Sequence, residues 1–150
     1  MEYMEFIGAG FTLQTPTEWL ITSSPEHQVI FLGANNPQGV RPNVMVAIRA
    51  VEDSVTVLKL AQETLAAQKA ELPHYRVLSE MDNSERGVFE RTYQWARPSD
   101  DASIIQTQRF YVLGNVLFSF TATRLEIEAV YEPVFKHMLN SFRLVLTPTT

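Results

Sequence analysis

The feature that most limits the possible folds is a run of four strand-like segments separated by short turns. The segments read "HYRVLSEMD", "RGVFERTYQWA", "ASIIQTQRFYVL" and "VLFSFTATR". Asp82–Ser84 and Gly114–Asn115 have the composition of hairpin turns, and residues 98–101 form a longer loop. Because a hairpin joins antiparallel neighbours, this half of the chain predicts an antiparallel sheet.

Two segments with helical periodicity stand before and after this run. Apolar residues recur at helical spacing within residues 55–72, and Pro73 ends that segment. A second apolar stripe predicts a helix over residues 126–141. Pro133 either opens this helix near its first turn or kinks a longer one, because proline lacks the backbone donor.

Further strands are predicted before the first helix, in "GFTLQTP", "HQVIFLG" and "PNVMVAIRAVE". A turn containing Asn35, Asn36, Pro37 and Gly39 separates the last two. Strands joined by hairpins, with a helix after each group, are typical of an α+β domain. We therefore predict a single domain over residues 1–150, with a curved antiparallel sheet and two main helices packed on one face.

Composition excludes several classes of function. The formal net charge is −5 and no three basic residues are consecutive, which argues against nucleic acid as a partner. The chain has no cysteine, so disulfides and thiolate metal sites are excluded. The N-terminal segment lacks the basic and apolar regions of a secretory leader, and no apolar stretch is long enough to span a membrane. We expect a cytoplasmic protein that does not itself insert into a membrane.

No group of residues has the spacing of a catalytic or metal site. His27, His74 and His137 are far apart in sequence and share no metal-ligand spacing. No serine stands in a nucleophile elbow, and the N-terminal "GAG" lacks the lysine of a phosphate loop. Asp100 and Asp101 are adjacent carboxylates in a polar loop, which favours a solvated turn. We expect a protein that is not an enzyme, with no catalytic residue, no metal and no cofactor.

The strand "FSFTATR" has two different faces. One face is apolar, and the other carries a row of small hydroxyls, Ser119, Thr121 and Thr123. Solvated sheet faces often carry charged residues, so this row is either ordinary solvated strand or the lining of a binding surface. On the preceding strand, Gln106 and Gln108 share a face with apolar residues, and this mixture favours a binding surface.

Five short motifs that combine aromatic residues with proline, glutamine or arginine also stand along the chain. They are Pro16-x-x-Trp19, Leu72-Pro73-x-Tyr75, Tyr93-Gln94-Trp95, Gln108-Arg-Phe110 and Glu132-Pro133-Val-Phe135-Lys136-x-Met138. In order and approximate spacing, from about residue 10 to residue 144, the chain resembles the PsbP/Mog1/DcrB superfamily. Within that superfamily it resembles the Eag family of type VI secretion chaperones. Residues 35–41 and 98–103 depart from the family pattern.

That resemblance implies a homodimeric protein whose gene lies beside that of a secreted effector. Its concave sheet surface would hold the N-terminal apolar helices of the effector before export. Membrane helix interfaces use Ser, Thr and Gln beside small residues, so a groove that mixes such side chains with apolar ones suits this partner. The groove residues expected from the resemblance and from the hydroxyl row are Val29, Phe31, Asn43, Ala47, Thr64, Gln108, Ser119, Thr121 and Thr123.

The assignment on the second strand is sensitive to register. A slip of one residue would move Val29 and Phe31 to the opposite face of the sheet, because strand side chains alternate. The same superfamily includes photosynthetic subunits, exported lipoproteins and a GTPase-binding protein. The alternative function is therefore a non-enzymatic scaffold or ligand-binding protein, and gene neighbourhood discriminates between the two.

Overall fold

Most of the regular structure is β-strand, and the strands pair antiparallel into two sheets. The computed structural model describes residues 1–35 and 40–145. Three members of the predicted turn, Asn36, Pro37 and Gly39, therefore lie outside the described residues. In chain order the strands and α-helices found within these ranges are β1 (Tyr3–Ile7), β2 (Phe11–Pro16), β3 (Leu20–Thr22), β4 (Val29–Leu32), β5 (Asn43–Ala50), α1 (Val57–Glu71), β6 (Arg76–Asn83), β7 (Val88–Ala96), β8 (Ser103–Leu113), β9 (Val116–Leu125), α2 (Glu132–Ser141) and β10 (Arg143–Leu144). Short 3-10 helices lie at Ser84–Arg86 and Ala129–Tyr131.

The larger sheet has seven strands in the order β3-β4-β5-β9-β8-β7-β6. Its last four strands in sequence, β6 to β9, form consecutive antiparallel hairpins, as the short turns predict. Strand β5 pairs with β9, and Met45 lies directly opposite Thr121. Gly114 has a φ of +60° in the β8–β9 turn, a conformation that glycine adopts readily. The predicted α+β fold class with antiparallel strands and two helices is confirmed.

The two helices lie on opposite faces of this sheet. Leu117 on β9 shares a hydrophobic cluster with Leu60 of α1, whereas its neighbour Phe118 shares another with Phe135 of α2. Successive strand residues point to opposite faces, so the sheet separates the two clusters. The prediction that both helices pack on one face is therefore wrong. Around Leu117 and Phe118 both faces of β9 are apolar, and one helix packs on each face of the sheet. We call these faces the α1 face and the α2 face.

A second sheet, with the strand order β1-β2-β10, packs against α2. Phe11 stacks on Phe142 with ring centroids 5.4 Å apart, and the Gln14 amide donates to Ser141 Oγ at 2.8 Å. The sequence predicts β2 but not its two partners. Apolar and polar residues do not alternate clearly in "MEYMEFI", and β10 has only 2 residues, so neither gives a periodic signal.

Helix α1 begins and ends close to the predicted bounds, whereas α2 begins at Glu132, six residues after the predicted start at residue 126. Thr56 Oγ1 accepts the Lys59 amide at 3.2 Å and so caps α1. Leu72 is already extended, as the residue before Pro73 usually is. Pro133 lies in the first turn of α2, where a helix needs no donor from it. It therefore opens the helix and does not kink it.

Candidate functional site

Helix α1 covers only part of its face of the larger sheet. Leu60 and Ala61 pack with Phe89 on β7 and Phe110 on β8. On the same face, β4, β5 and much of β9 carry partly exposed side chains. We call eight of these side chains the open face: Ile30, Leu32, Asn43, Met45, Ala47, Ser119, Thr121 and Thr123.

Strand pairing arranges the open face in three rows. Apolar side chains come from β4 and the middle of β5, and hydroxyls come from β9, so the surface changes from apolar to polar across the sheet. None of the eight side chains carries a charge. From β4 to β9 the rows are Leu32–Asn43–Thr123, Ile30–Met45–Thr121 and Ala47–Ser119.

The three hydroxyls of β9 differ in their hydrogen bonding. Thr123 Oγ1 accepts from Gln106 Nε2 at 2.9 Å, and Gln106 Oε1 accepts from Trp95 Nε1 at 2.9 Å. The side chains of Ser119 and Thr121 make no hydrogen bond to another residue within the described part of the chain. Water or a bound partner must therefore satisfy these two hydroxyls.

Gln108 and Thr64 lie on the α1 face, and α1 engages both. Gln108 Oε1 accepts from Gln68 Nε2 at 2.6 Å, and Gln68 Oε1 accepts from the Tyr75 hydroxyl at 2.7 Å. Thr64 Oγ1 donates to the Leu60 carbonyl at 2.8 Å. Gln68 is buried, so its bond to Gln108 fixes the second half of α1 on β8. Sequence reasoning missed Gln68, although its helical spacing from Ala61 and Thr64 indicates a sheet-facing position.

Val29 and Phe31 lie on the α2 face, opposite the other predicted site residues. They pair with core residues of β5 and are buried, and the Phe31 ring meets Phe6 edge-on with centroids 5.2 Å apart. The prediction that they share a face with the other site residues is wrong by one residue, because both faces of "VIFL" are apolar and alternation does not say which faces the core. Ile30 and Leu32 occupy the α1 face instead. The remaining predicted residues share that face: Asn43, Ala47, Thr64, Gln108, Ser119, Thr121 and Thr123.

Met45 is a second residue that sequence reasoning missed. It stands two residues from both Asn43 and Ala47, so strand alternation alone places it between them on the same face. Asn43 Nδ2 donates to the Arg41 carbonyl at 2.9 Å. Its Oδ1 is buried and has no hydrogen-bond partner among the described residues. The open face therefore has both an apolar centre and an unsatisfied acceptor at one end.

A buried arginine secures the first half of α1. Arg91 is 2% exposed, and its Nη1 donates to the Ala61 carbonyl at 2.9 Å. Its Nε and Nη2 each lie 2.8 Å from Glu80 Oε2. Burial raises the pKa of the Tyr93 hydroxyl, two residues further along β7, so that group stays neutral. The carboxylate of Glu80 therefore pairs with the charge of Arg91 beneath α1.

Two of the three histidines, His27 and His137, contact different neighbours. His27 Nδ1 lies 3.2 Å from Ser24 Oγ, and the His137 ring stacks on Tyr3 with centroids 3.8 Å apart. Across residues 1–35 and 40–145, no three His, Asp or Glu side chains gather in a way that could hold a metal ion. In the same described ranges, no helix combines the length and the apolar character needed to cross a membrane.

The strand order and the two helices define the class of fold, which is that of the Mog1/PsbP-like proteins. The Ran-binding protein Mog1p of Saccharomyces cerevisiae superposes with a TM-score of 0.64 at 11% identity, over 97% of this chain and 96% of Mog1p. Cyanobacterial PsbP of Synechocystis sp. PCC 6803 gives a TM-score of 0.66 at 13% identity, over 95% of this chain and 92% of PsbP.

A third similar structure is PA94 of Pseudomonas aeruginosa, a protein of unknown function described as a putative regulator. It has a TM-score of 0.65 at 18% identity, over 99% of this chain and 100% of PA94. Identities of 11% to 18% show a shared fold and nothing finer. No protein-family model and no curated protein gives a significant match to the sequence.

Proposed function

We propose that this protein is a non-enzymatic chaperone or adaptor that binds apolar helices of another protein on the open face. The observation that carries the proposal is the open face itself, a set of eight partly exposed and uncharged side chains beside a helix, with the exposed Arg49 at its border. Ile30, Leu32 and Met45 supply apolar area, and Ser119 and Thr121 supply unpaired hydroxyls. A solvated sheet face needs no such apolar side chains.

The chemistry of the open face suits an apolar helix with small residues on one side. Apolar side chains of the partner gain about 25 cal/mol for each Å² removed from water. Small residues on a helix expose backbone carbonyls, which can accept hydrogen bonds from Ser119 and Thr121, as hydroxyls do between membrane helices. A charged strand face would leave unpaired charges buried against such a partner.

The finer proposal is that the partner is the N-terminal hydrophobic region of a type VI secretion effector. In this role the protein acts in the cytoplasm as a homodimer and shields the helices before export. The support is the resemblance to the Eag chaperones together with the open face. The motif residues Pro16, Trp19 and Met138 are buried core positions, so they support the fold class, and the open face supports the binding role.

The test compares two threonine substitutions on different sheets. Thr121→Glu would bury a carboxylate against the bound helix, so we expect recovery of the partner to fall by about tenfold or more. Thr12→Glu is the matched control, because Thr12 is also a partly exposed strand threonine but lies on β2. The measurement is co-purification with the hydrophobic N-terminal segment of the secreted protein that the proposal expects to be encoded beside this gene. Equal recovery with wild type and a correctly folded Thr121→Glu protein would show that the open face is ordinary solvated sheet.

A further inference from the structure

A cleft of about 440 Å³ lies on the α2 face, on the opposite side of the sheet from the open face. Its floor is formed by β7, β8 and β9, where Thr92, Thr107 and Ala122 occupy one row. Phe135 and Leu139 of α2 form one wall. The cleft thus combines an apolar wall with a floor of mixed hydroxyl and apolar groups.

Arg124 lines this cleft and is only partly satisfied by the protein. Its side chain is 9% exposed, and its Nη1 donates to the carbonyls of Leu125 and Glu126 at 3.1 Å and 3.0 Å. The Nε and Nη2 edge makes no hydrogen bond to a described residue. Glu132 Oε2 lies 3.7 Å from Nη2, which is beyond hydrogen-bond distance, and the Glu132 side chain is 71% exposed.

The second arginine of the cleft is different. Arg109 Nε and Nη2 lie 2.8 Å and 2.7 Å from Glu90 Oε1. Its Nη1 donates to the Tyr111 hydroxyl at 3.1 Å and to the Leu139 carbonyl at 3.3 Å. Every nitrogen of Arg109 is therefore engaged, and the bond from Nη1 to Leu139 links α2 to the sheet. Arg124 is the arginine of this cleft that keeps donors for a ligand.

We propose that Arg124 binds the carboxylate of a small amphipathic acid whose apolar part lies in this cleft. The Nε and Nη2 edge of a guanidinium matches the two oxygens of a carboxylate. Ile105, Ala122 and Phe135 offer contacts for a short apolar chain or ring. This site is independent of the open face and of the function proposed for it.

The charges of the other ionisable groups in the cleft are compatible with a bound anion. Lys136 on α2 adds a positive charge at the cleft wall. Glu90 is neutralised by Arg109 at 2.7 Å. Glu132 is the remaining acidic group, and it competes for Arg124 only through its 3.7 Å contact. A ligand carboxylate would displace a loosely held, exposed side chain and gain a shorter bidentate contact.

The test uses hexanoate and its neutral analogue hexanamide as probes, with the whole protein. We expect hexanoate to shift the amide resonances of β8, β9 and α2 in a saturable titration, and hexanamide to bind on the order of tenfold more weakly because it lacks the charge. A peptide C-terminus presents the same carboxylate, so a pentapeptide ending in leucine and its C-terminal amide form a second pair. Preference for the acid in either pair supports the site and identifies the source of the carboxylate.

Two variants test the role of Arg124 directly. Arg124→Gln should abolish the preference for the acid over the amide, and Glu132→Gln should tighten hexanoate binding because it removes the competing carboxylate. Glu71→Gln, an exposed change at the end of α1, is the matched control and should leave both affinities unchanged. Glu132 is exposed, so Glu132→Gln should fold and still tests the site if Arg124→Gln fails to fold. Equal binding of acid and amide in both pairs, no binding of either acid, or no effect of Glu132→Gln would overturn the proposal.

Discussion

Gln108 shows how one polar residue can support a neighbouring surface without forming part of it. Its carbonyl oxygen accepts from the buried Gln68 at 2.6 Å, and Gln68 in turn accepts from Tyr75 at 2.7 Å. Removing a partner from a buried amide leaves that amide with its full desolvation cost. The sequence predicts Gln108 as a groove residue, and its bond to Gln68 shows that it also links α1 to β8.

At the scale of a single residue, we expect Gln108→Ala to destabilise the fold. The Gln68 amide would lose its acceptor, so the free energy of unfolding should fall by about 1–3 kcal/mol. The exposed Gln62 on the same helix is the matched control, and Gln62→Ala should change the free energy by less than about 0.5 kcal/mol. Urea denaturation followed by circular dichroism measures both. A Gln108→Ala protein as stable as wild type would mean that this bond does not hold α1.

At the scale of the element, the two faces of β9 differ: one is buried in the core and the other is partly exposed. Phe118, Phe120 and Ala122 enter the core beneath α2, and Ser119 and Thr121 stay on the open face. The strand therefore separates a buried surface on which stability depends from a partly exposed surface, the open face. Substitutions at adjacent positions should have very different effects.

Phe120 and Thr121 provide that test. Phe120 is 1% exposed and meets Phe142 edge-on with ring centroids 6.1 Å apart. Phe120→Ala should lower the free energy of unfolding by about 3–5 kcal/mol, because it leaves a cavity in the core. Thr121→Val keeps the shape of the side chain and should change stability by less than about 0.5 kcal/mol. Thermal denaturation of both variants measures these changes. A similar loss of stability in the two variants would mean that the assigned faces of β9 are incorrect.

The sequence predicts elements better than it predicts their faces. The hairpins from β6 to β9 follow from turn residues, and the end of α1 follows from Pro73, because both signals act locally. Val29 and Phe31 were placed on the wrong face because β4 is apolar on both sides, so the choice depends on packing against distant residues such as Phe6. The side on which each helix packs also depends on distant contacts.

At the scale of the whole molecule, the two edges of the larger sheet are unequal. The edge strand β3 has 3 residues and the edge strand β6 has 8, nearly all of them exposed. Leu78 and Met81 on β6 are both 41% exposed. A long exposed edge with apolar side chains is a template for pairing with another strand. We propose that two copies of the chain meet along β6.

A lysine on this edge should prevent self-association. We expect wild type to sediment as a homodimer at tens of micromolar and Met81→Lys to sediment as a monomer, because a charge would enter the interface. Met4→Lys is the matched control, since Met4 on β1 is 39% exposed against 41% for Met81. Sedimentation velocity distinguishes these outcomes. A monomeric wild type, or a Met81→Lys protein that remains a dimer, contradicts the proposal.

The small sheet can be completed only late in synthesis, because it joins the two ends of the described chain. Gln14 on β2 bonds to Ser141, 127 positions later, and β10 pairs with the opposite end of β2. The strands β6 to β9 need only their neighbours in sequence, so they can pair while the chain is still being made. Until the ribosome has released α2 and β10, Phe11 and Leu13 have no helix to pack against. Strand β2 thus leaves the ribosome long before the helix that covers it, and during that interval its apolar side chains are exposed to misassembly.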